Sequence, residues 1–193
     1  SMQNYQMDKQ IRTLAEKNRL HDELHRQTAR QIDLLNDWLQ KLTKTDDPKE
    51  KRELLRHIVV VGAYLKRRNN LILVNEQDGV IKEEELNLSI QEMIKNLQLA
   101  GIHCAGTVEF EINLPTDVAM KLFDFYEYVV ENAFDGLGSL LARFFYRDNS
   151  FYACIDAVCS LDLTKLQNEQ IFVSVSDKNC YTLSLKIEGG DGR

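Results

Sequence analysis

The sequence predicts an α+β fold in two parts, a long antiparallel helical hairpin over residues 1–76 and an α/β sandwich over residues 80–193. In the first part, apolar residues recur at sums of three and four positions, which is typical of amphipathic helices. The second part orders its segments as helix, strand, helix and then four strands, which is typical of segregated α+β domains. A polar run ending in glycine, residues 75–79, separates the two parts as a domain boundary would.

The hairpin begins with a helix predicted over residues 5–44, because its apolar residues form one stripe without an intervening glycine or proline. These residues are Leu14, Leu20, Leu24, Ile32, Leu35, Leu39 and Leu42. A turn at residues 43–48 follows, in which Asp46 or Asp47 can cap a second helix over residues 48–75. Two helices leave part of each stripe uncovered, so we expect a second copy of the chain to complete a dimeric four-helix bundle.

The second part is predicted to hold two helices, over residues 82–100 and 116–137, with a strand between them over residues 107–112. Four further strands are predicted over residues 140–146, 151–158, 171–175 and 181–187. Short polar turns join these strands into two hairpins. The order predicts helices on one face of a mixed sheet.

Composition and charge favour a globular cytoplasmic protein that does not bind nucleic acid. The net charge is −6, whereas nucleic-acid-binding proteins usually carry a basic surplus. No stretch approaches the roughly 20 apolar residues that a membrane-spanning helix needs. A parent protein with a sensory or membrane-anchoring segment remains an alternative. The four cysteines form no Cys-x-x-Cys pair, which favours reduced thiols over zinc ligands or disulfides.

The segment most suggestive of chemistry is residues 19–27, Arg-Leu-His-Asp-Glu-Leu-His-Arg-Gln. A neutral imidazole can act as a nucleophile. The carboxylate of Asp22 can accept the proton of the other ring nitrogen of His21 and hold the useful tautomer. The alternative is that both His21 and His25 are solvated residues on a charged helix face.

His-Asp-Glu-Leu at residues 21–24 resembles the H-box of sensor histidine kinases, the phosphorylated motif of two-component systems. Residues 62–71 look like the second hairpin helix of a Firmicutes-type branch, and the elements that follow are similar in order to the family's catalytic ATP-binding domain. The resemblance covers about residues 10–188. It implies that His21 is the phosphoacceptor and Asp22 its acid/base partner. In a competing register His25 is the acceptor, but Arg26 then stands where an acidic neighbour is expected.

The same resemblance implies ATP and magnesium as cofactors, with Asn132 as a ligand of magnesium and phosphate. Asn132-Ala133 matches the Asn-Ala pair of the family's N-box, but Tyr128 stands where a glutamate is expected. In a second alignment Glu131 takes the glutamate position, and residues 135–136 then fall on the Asn-Ala pair. The alternative to both is a helix whose polar face is solvated.

Asp156 matches the family's aspartate that reads the adenine amino group. Val158 and Ser160 replace the two glycines that should follow, and a backbone that lies against a ligand needs residues without Cβ bulk. Residues 159–170, where the family has a long flexible lid, contain no glycine. These departures predict an ATP-binding domain that is degenerate.

Three functions follow from the sequence. The first is the core of a sensor histidine kinase, autophosphorylated at His21, which passes the phosphoryl group to an aspartate of a response regulator. The second is a histidine phosphotransfer protein without ATPase activity, and the third is a non-catalytic dimeric scaffold, or pseudokinase. The expected partners are a second copy of the chain and a response regulator.

Overall fold

A computed structural model of the chain describes the backbone of residues 1–75 and 79–190, with the side chains of residues 16–25, 27, 74 and 75 outside the description. The chain divides by packing into two compact units, Ser1–Ile58 and Val59–Arg193. This division falls inside the second helix. The boundary predicted from the polar run at residues 75–79 stays a prediction, because residues 76–78 lie outside the described residues.

The first unit contains α1, Met2–Lys44, and the N-terminal part of α2, Pro48–Asn75. Pro48 takes the first position of α2, and Oδ1 of Asp47 accepts a hydrogen bond from the backbone N–H of Lys49 at 3.0 Å, which is the expected cap. Across the turn, the rings of Trp38 and His57 lie 5.3 Å apart between centroids. The two helices therefore pack as the predicted antiparallel hairpin.

The second unit contains the rest of α2, two further helices and seven strands among the described residues. Their bounds are β1 Val80–Ile81, α3 Glu83–Leu99, β2 His103–Glu109, β3 Leu114–Pro115, α4 Thr116–Ala133, β4 Leu137–Arg147, β5 Ser150–Cys159, β6 Ile171–Asp177 and β7 Cys180–Glu188. None of the described helices combines the length and the apolar character that crossing a bilayer requires.

Five strands form one mixed sheet in the order β2-β4-β5-β7-β6. β2 runs parallel to β4, and the other neighbours are antiparallel. β1 and β3 form a separate antiparallel pair. The mixed sheet and the two predicted hairpins, β4–β5 and β6–β7, are confirmed.

Both helices lie on one face of this sheet. On β5 the buried side chains alternate as Ala153, Ile155, Ala157 and Cys159, and the thiol of Cys159 lies 3.5 Å from the carbonyl of Ala133 in α4. On β2, a Cβ at Gly106 would contact Ile90 and Ile94 of α3 at 3.2–3.4 Å. The intervening residues of each strand point to the opposite, more exposed face, as the two-residue period of a strand requires.

Two predicted elements differ from the structure. The strand predicted over residues 107–112 is His103–Glu109, because the chain turns at Glu111, whose φ of 58° is left-handed and whose N–H donates to the Glu83 carboxylate at 3.1 Å. The helix predicted over residues 116–137 ends at Ala133, and a 3-10 turn, Phe134–Gly136, leads into β4.

Candidate functional site

The predicted phosphoacceptor segment lies within α1, a helix that is continuous from Met2 to Lys44. The side chains of His21, Asp22 and His25 lie outside the described residues, so their roles stay predictions. Six residues beyond His25 on α1, the side chain of Gln31 is buried, and its Oε1 has no hydrogen-bond partner among the described residues.

Asn132 lies on the last turn of α4. Its side-chain Nδ2 donates to the backbone carbonyl of Tyr128 at 2.7 Å, a local bond within the same helix. Tyr128 is itself exposed and supplies no carboxylate. Magnesium prefers a set of oxygen ligands, and in this part of the helix the side chain at the expected glutamate position is a phenol instead.

Asp156 lies on β5 and points to the sheet face opposite the helices. Its Oδ2 accepts a hydrogen bond from Nη2 of Arg143 at 3.1 Å, and its Oδ1 accepts one from the Thr182 hydroxyl at 2.7 Å. Its neighbours Ile155 and Ala157 are buried on the helix side. The structure therefore does not bring Asp156 together with Asn132, which belongs to the helix layer.

The segment after β5 packs against the 3-10 turn that follows α4. The N–H of Ser160 donates to the carbonyl of Gly136 at 2.9 Å, and a Cβ at Gly136 would meet the backbone N of Leu161 at 3.0 Å. Leu163 and Leu166 of the following 3-10 turn are buried. The segment expected to hold a long flexible lid is here a short connection that packs on the 3-10 turn that follows α4.

Sequence reasoning missed a buried ionic cluster between α2 and α4. Arg68, which is 1% exposed, contacts both carboxylate oxygens of Asp124, and the Tyr64 hydroxyl donates to the same carboxylate. Burial by itself lowers the pKa of Arg68, but the hydrogen bonds and the charge of Asp124 outweigh it and raise this pKa. Burial, and then the charge of Asp124, raise the pKa of Tyr64.

Glu127 is the second group that sequence reasoning missed. It is 1% exposed, and neither of its carboxylate oxygens has a partner among the described residues. Burial, followed by the charges of Glu131 and Asp124, raises its pKa well above the ordinary value. The sequence shows a glutamate within the apolar stretch of α4, which could have marked it as unusual. Its burial, however, depends on how α4 packs in the folded unit.

No family model and no curated protein matches this sequence. Histidine kinases are among the solved structures that it resembles.

Histidine kinase AdeS of Acinetobacter baumannii is 12% identical, with a TM-score of 0.43, over 83% of this chain and 96% of that protein. The histidine kinase domain of a blue-light-activated kinase from Erythrobacter litoralis is 9% identical, with a TM-score of 0.46, over 83% of this chain and 94% of the domain. A bacterial phosphotransferase is 12% identical, with a TM-score of 0.44, over 81% of this chain and 88% of that protein.

Proposed function

We propose that this chain is a histidine-kinase-like core of a two-component system, in which His21 carries a phosphoryl group to an aspartate of a response regulator. The observation that carries the proposal is the His-Asp-Glu-Leu motif at residues 21–24 within the first helix of a helical hairpin. The mixed sheet with helices on one face, in the order expected after such a hairpin, supports it.

The chemistry at His21 needs a neutral ring nitrogen as nucleophile. Attack on phosphorus forms an N–P bond while the bond to the donor's leaving oxygen breaks. Asp22 accepts the proton of the second ring nitrogen through a hydrogen bond and stabilises the cation that forms. A carboxylate oxygen of the regulator then attacks phosphorus, the N–P bond breaks, and His21 returns to its neutral form.

A second candidate function, phosphotransfer without ATP hydrolysis, is favoured by the placement of Asp156. The side chain that should read adenine is bonded to Arg143 and Thr182 on the face away from α4. Ser160 and Leu161 pack against Gly136, in the 3-10 turn that follows α4. These residues do not fit an ATP–magnesium group, so we infer that the phosphoryl group comes from another phosphoprotein.

The chain acts as a homodimer in this proposal. Three apolar side chains of the first unit, Ile32, Leu39 and Leu55, are each 46% exposed. Ile32 and Leu39 are seven residues apart and so lie on one face of α1. A second hairpin that covered these side chains would complete a four-helix bundle.

The test is labelling of the purified chain with radioactive phosphate, supplied either as ATP with magnesium or as a response regulator phosphorylated on its aspartate. We expect label on the wild-type chain and on His25→Gln only from the phosphorylated regulator, and no label on His21→Gln from either donor. Label that persists in His21→Gln and vanishes in His25→Gln would make His25 the acceptor. Label from ATP alone would reject the ATP-independent candidate, and a chain unlabelled by both donors would leave the scaffold function.

A further inference from the structure

The C-terminal part of α2 belongs to the second compact unit, although α2 begins in the hairpin. Most apolar residues of this part are buried, among them Val60, Val61, Leu65 and Leu71. A continuous helix, and not a loop, therefore leads from the hairpin into the second unit.

Three side chains tie this part of α2 to α4. The Tyr64 hydroxyl donates to Oδ1 of Asp124 at 2.6 Å. Arg68 donates from Nε to Oδ1 at 3.0 Å and from Nη2 to Oδ2 at 3.1 Å, the bidentate geometry in which guanidinium and carboxylate fit best. The ring of Tyr64 also stacks on Phe123 of α4, with centroids 5.3 Å apart.

The burial of Arg68 makes this contact costly to break. Arg68 is shielded from water almost completely, whereas the side chain of Asp124 is 21% exposed, so the guanidinium is the buried member of the pair. Taking away one partner of a buried pair leaves an uncompensated charge, which costs far more than the loss of an exposed pair. Breaking the pair would therefore leave the buried guanidinium of Arg68 without the carboxylate of Asp124, which favours the joined arrangement of α2 and α4.

We propose that Tyr64, Arg68 and Asp124 form a latch that fixes the C-terminal part of α2 to α4. While the latch is closed, a turn or bend of α2 moves α4 with it. When the latch opens, the C-terminal part of α2 is free of α4 and the coupling is lost.

The test is hydrogen exchange of the full chain, read by mass spectrometry, for Arg68→Met and Tyr64→Phe. Arg143→Met is the matched control, because it breaks an exposed arginine–aspartate pair in the same unit. We expect exchange at residues 59–73 to be about tenfold faster in Arg68→Met and about threefold faster in Tyr64→Phe. Exchange in the sheet stays as in the wild type, and the control leaves residues 59–73 unchanged.

Two results would overturn the latch. Equal acceleration in β4, β5 and β7 would mean that Arg68 serves only the stability of the whole unit, and unchanged exchange at residues 59–73 would mean that the contact does not hold α2. If Arg68→Met does not fold, Tyr64→Phe decides, because it keeps the stacked ring and removes one hydroxyl. The experiment uses no phosphoryl donor, so its outcome is independent of the proposed phosphotransfer.

Discussion

Glu127 places a carboxylic acid in an interior that offers it no hydrogen-bond partner among the described residues. An ionised carboxylate in such a site would have lost its water, and Asp124 and Glu131 lie close enough to repel it. The acid therefore stays protonated well above the pH at which an exposed glutamate ionises.

This burial predicts a dependence of stability on pH. Because the pKa of folded Glu127 lies above its ordinary value of 4.5, the unfolded chain releases this proton first as the pH rises. The contribution of Glu127 to stability is thus fully present below about pH 4.5 and is lost as the pH rises towards the folded pKa. We expect Glu127→Gln, which cannot ionise, to raise the Tm at pH 8 by a few degrees and to change it little near pH 4.5.

Thermal unfolding at several pH values, followed by circular dichroism, checks this. Glu109→Gln is the control, since it removes the same charge from an exposed position on β2 and should leave the pH profile as it is. A Tm difference between Glu127→Gln and the wild type that does not grow from pH 5 to pH 8 would contradict the assignment of Glu127 as the buried acid.

At the scale of elements, the junction between α4 and β4 holds the segment that follows β5. The 3-10 turn Phe134–Gly136 brings Gly136 against Ser160 and Leu161, so that a Cβ there would lie 2.5 Å from the Ser160 hydroxyl oxygen and 2.8 Å from Cγ of Leu161. The backbone of Gly136 does not adopt a positive φ. The need for glycine at this position is therefore steric.

We expect Gly136→Ala to destabilise the chain by about 1–3 kcal/mol, the usual cost of forcing an extra group into a packed site. Gly138→Ala is a matched control two residues away, because its Cβ would meet only the carbonyl of Val158 at 3.6 Å, an ordinary contact. Urea unfolding of both variants measures the difference. Equal stability of the two variants would mean that the segment after β5 is not packed against Gly136 of the 3-10 turn as described.

At the scale of the whole molecule, the chain consists of two compact units, and the boundary between them lies within α2. The hairpin exposes the apolar side chains Ile32, Leu39 and Leu55, whereas the globular unit buries its core between one sheet face and its helices. The seven-residue spacing that puts Ile32 and Leu39 on one face of α1 is why the proposed dimer contact belongs to the hairpin.

We expect light scattering to give a dimer for the wild-type chain and a monomer for the double variant Ile32→Lys with Leu39→Lys. Charged side chains on the same face of α1 would have to be desolvated in the bundle, which is costly. Leu99→Lys is the control, since Leu99 is an exposed apolar residue of α3 in the other unit. A wild-type monomer at tens of micromolar, or a dimer that survives the double variant, would remove the bundle.

The order of the elements was predictable because it depends on local patterns. The stripe of α1, the cap at Asp47 and Pro48, and the polar turns between strands act within a few residues of one another. The end of β2 was harder to predict, since the N–H of Glu111 at the following turn donates to the carboxylate of Glu83, which is 28 residues away in sequence. The phosphoacceptor motif is likewise a property of the sequence, and its role stays a prediction.

The sequence by itself determined a helical hairpin with His21-Asp22, followed by a mixed sheet with helices on one face. Only the tertiary structure decided that Asp156 faces away from α4 and that Arg68 is buried. The side of a strand to which a residue points is set by which face the helices cover, and strand periodicity alone leaves both faces equivalent. Arg68 is buried because Asp124, 56 residues further along, compensates its charge, and no pattern in the residues around Arg68 carries that information.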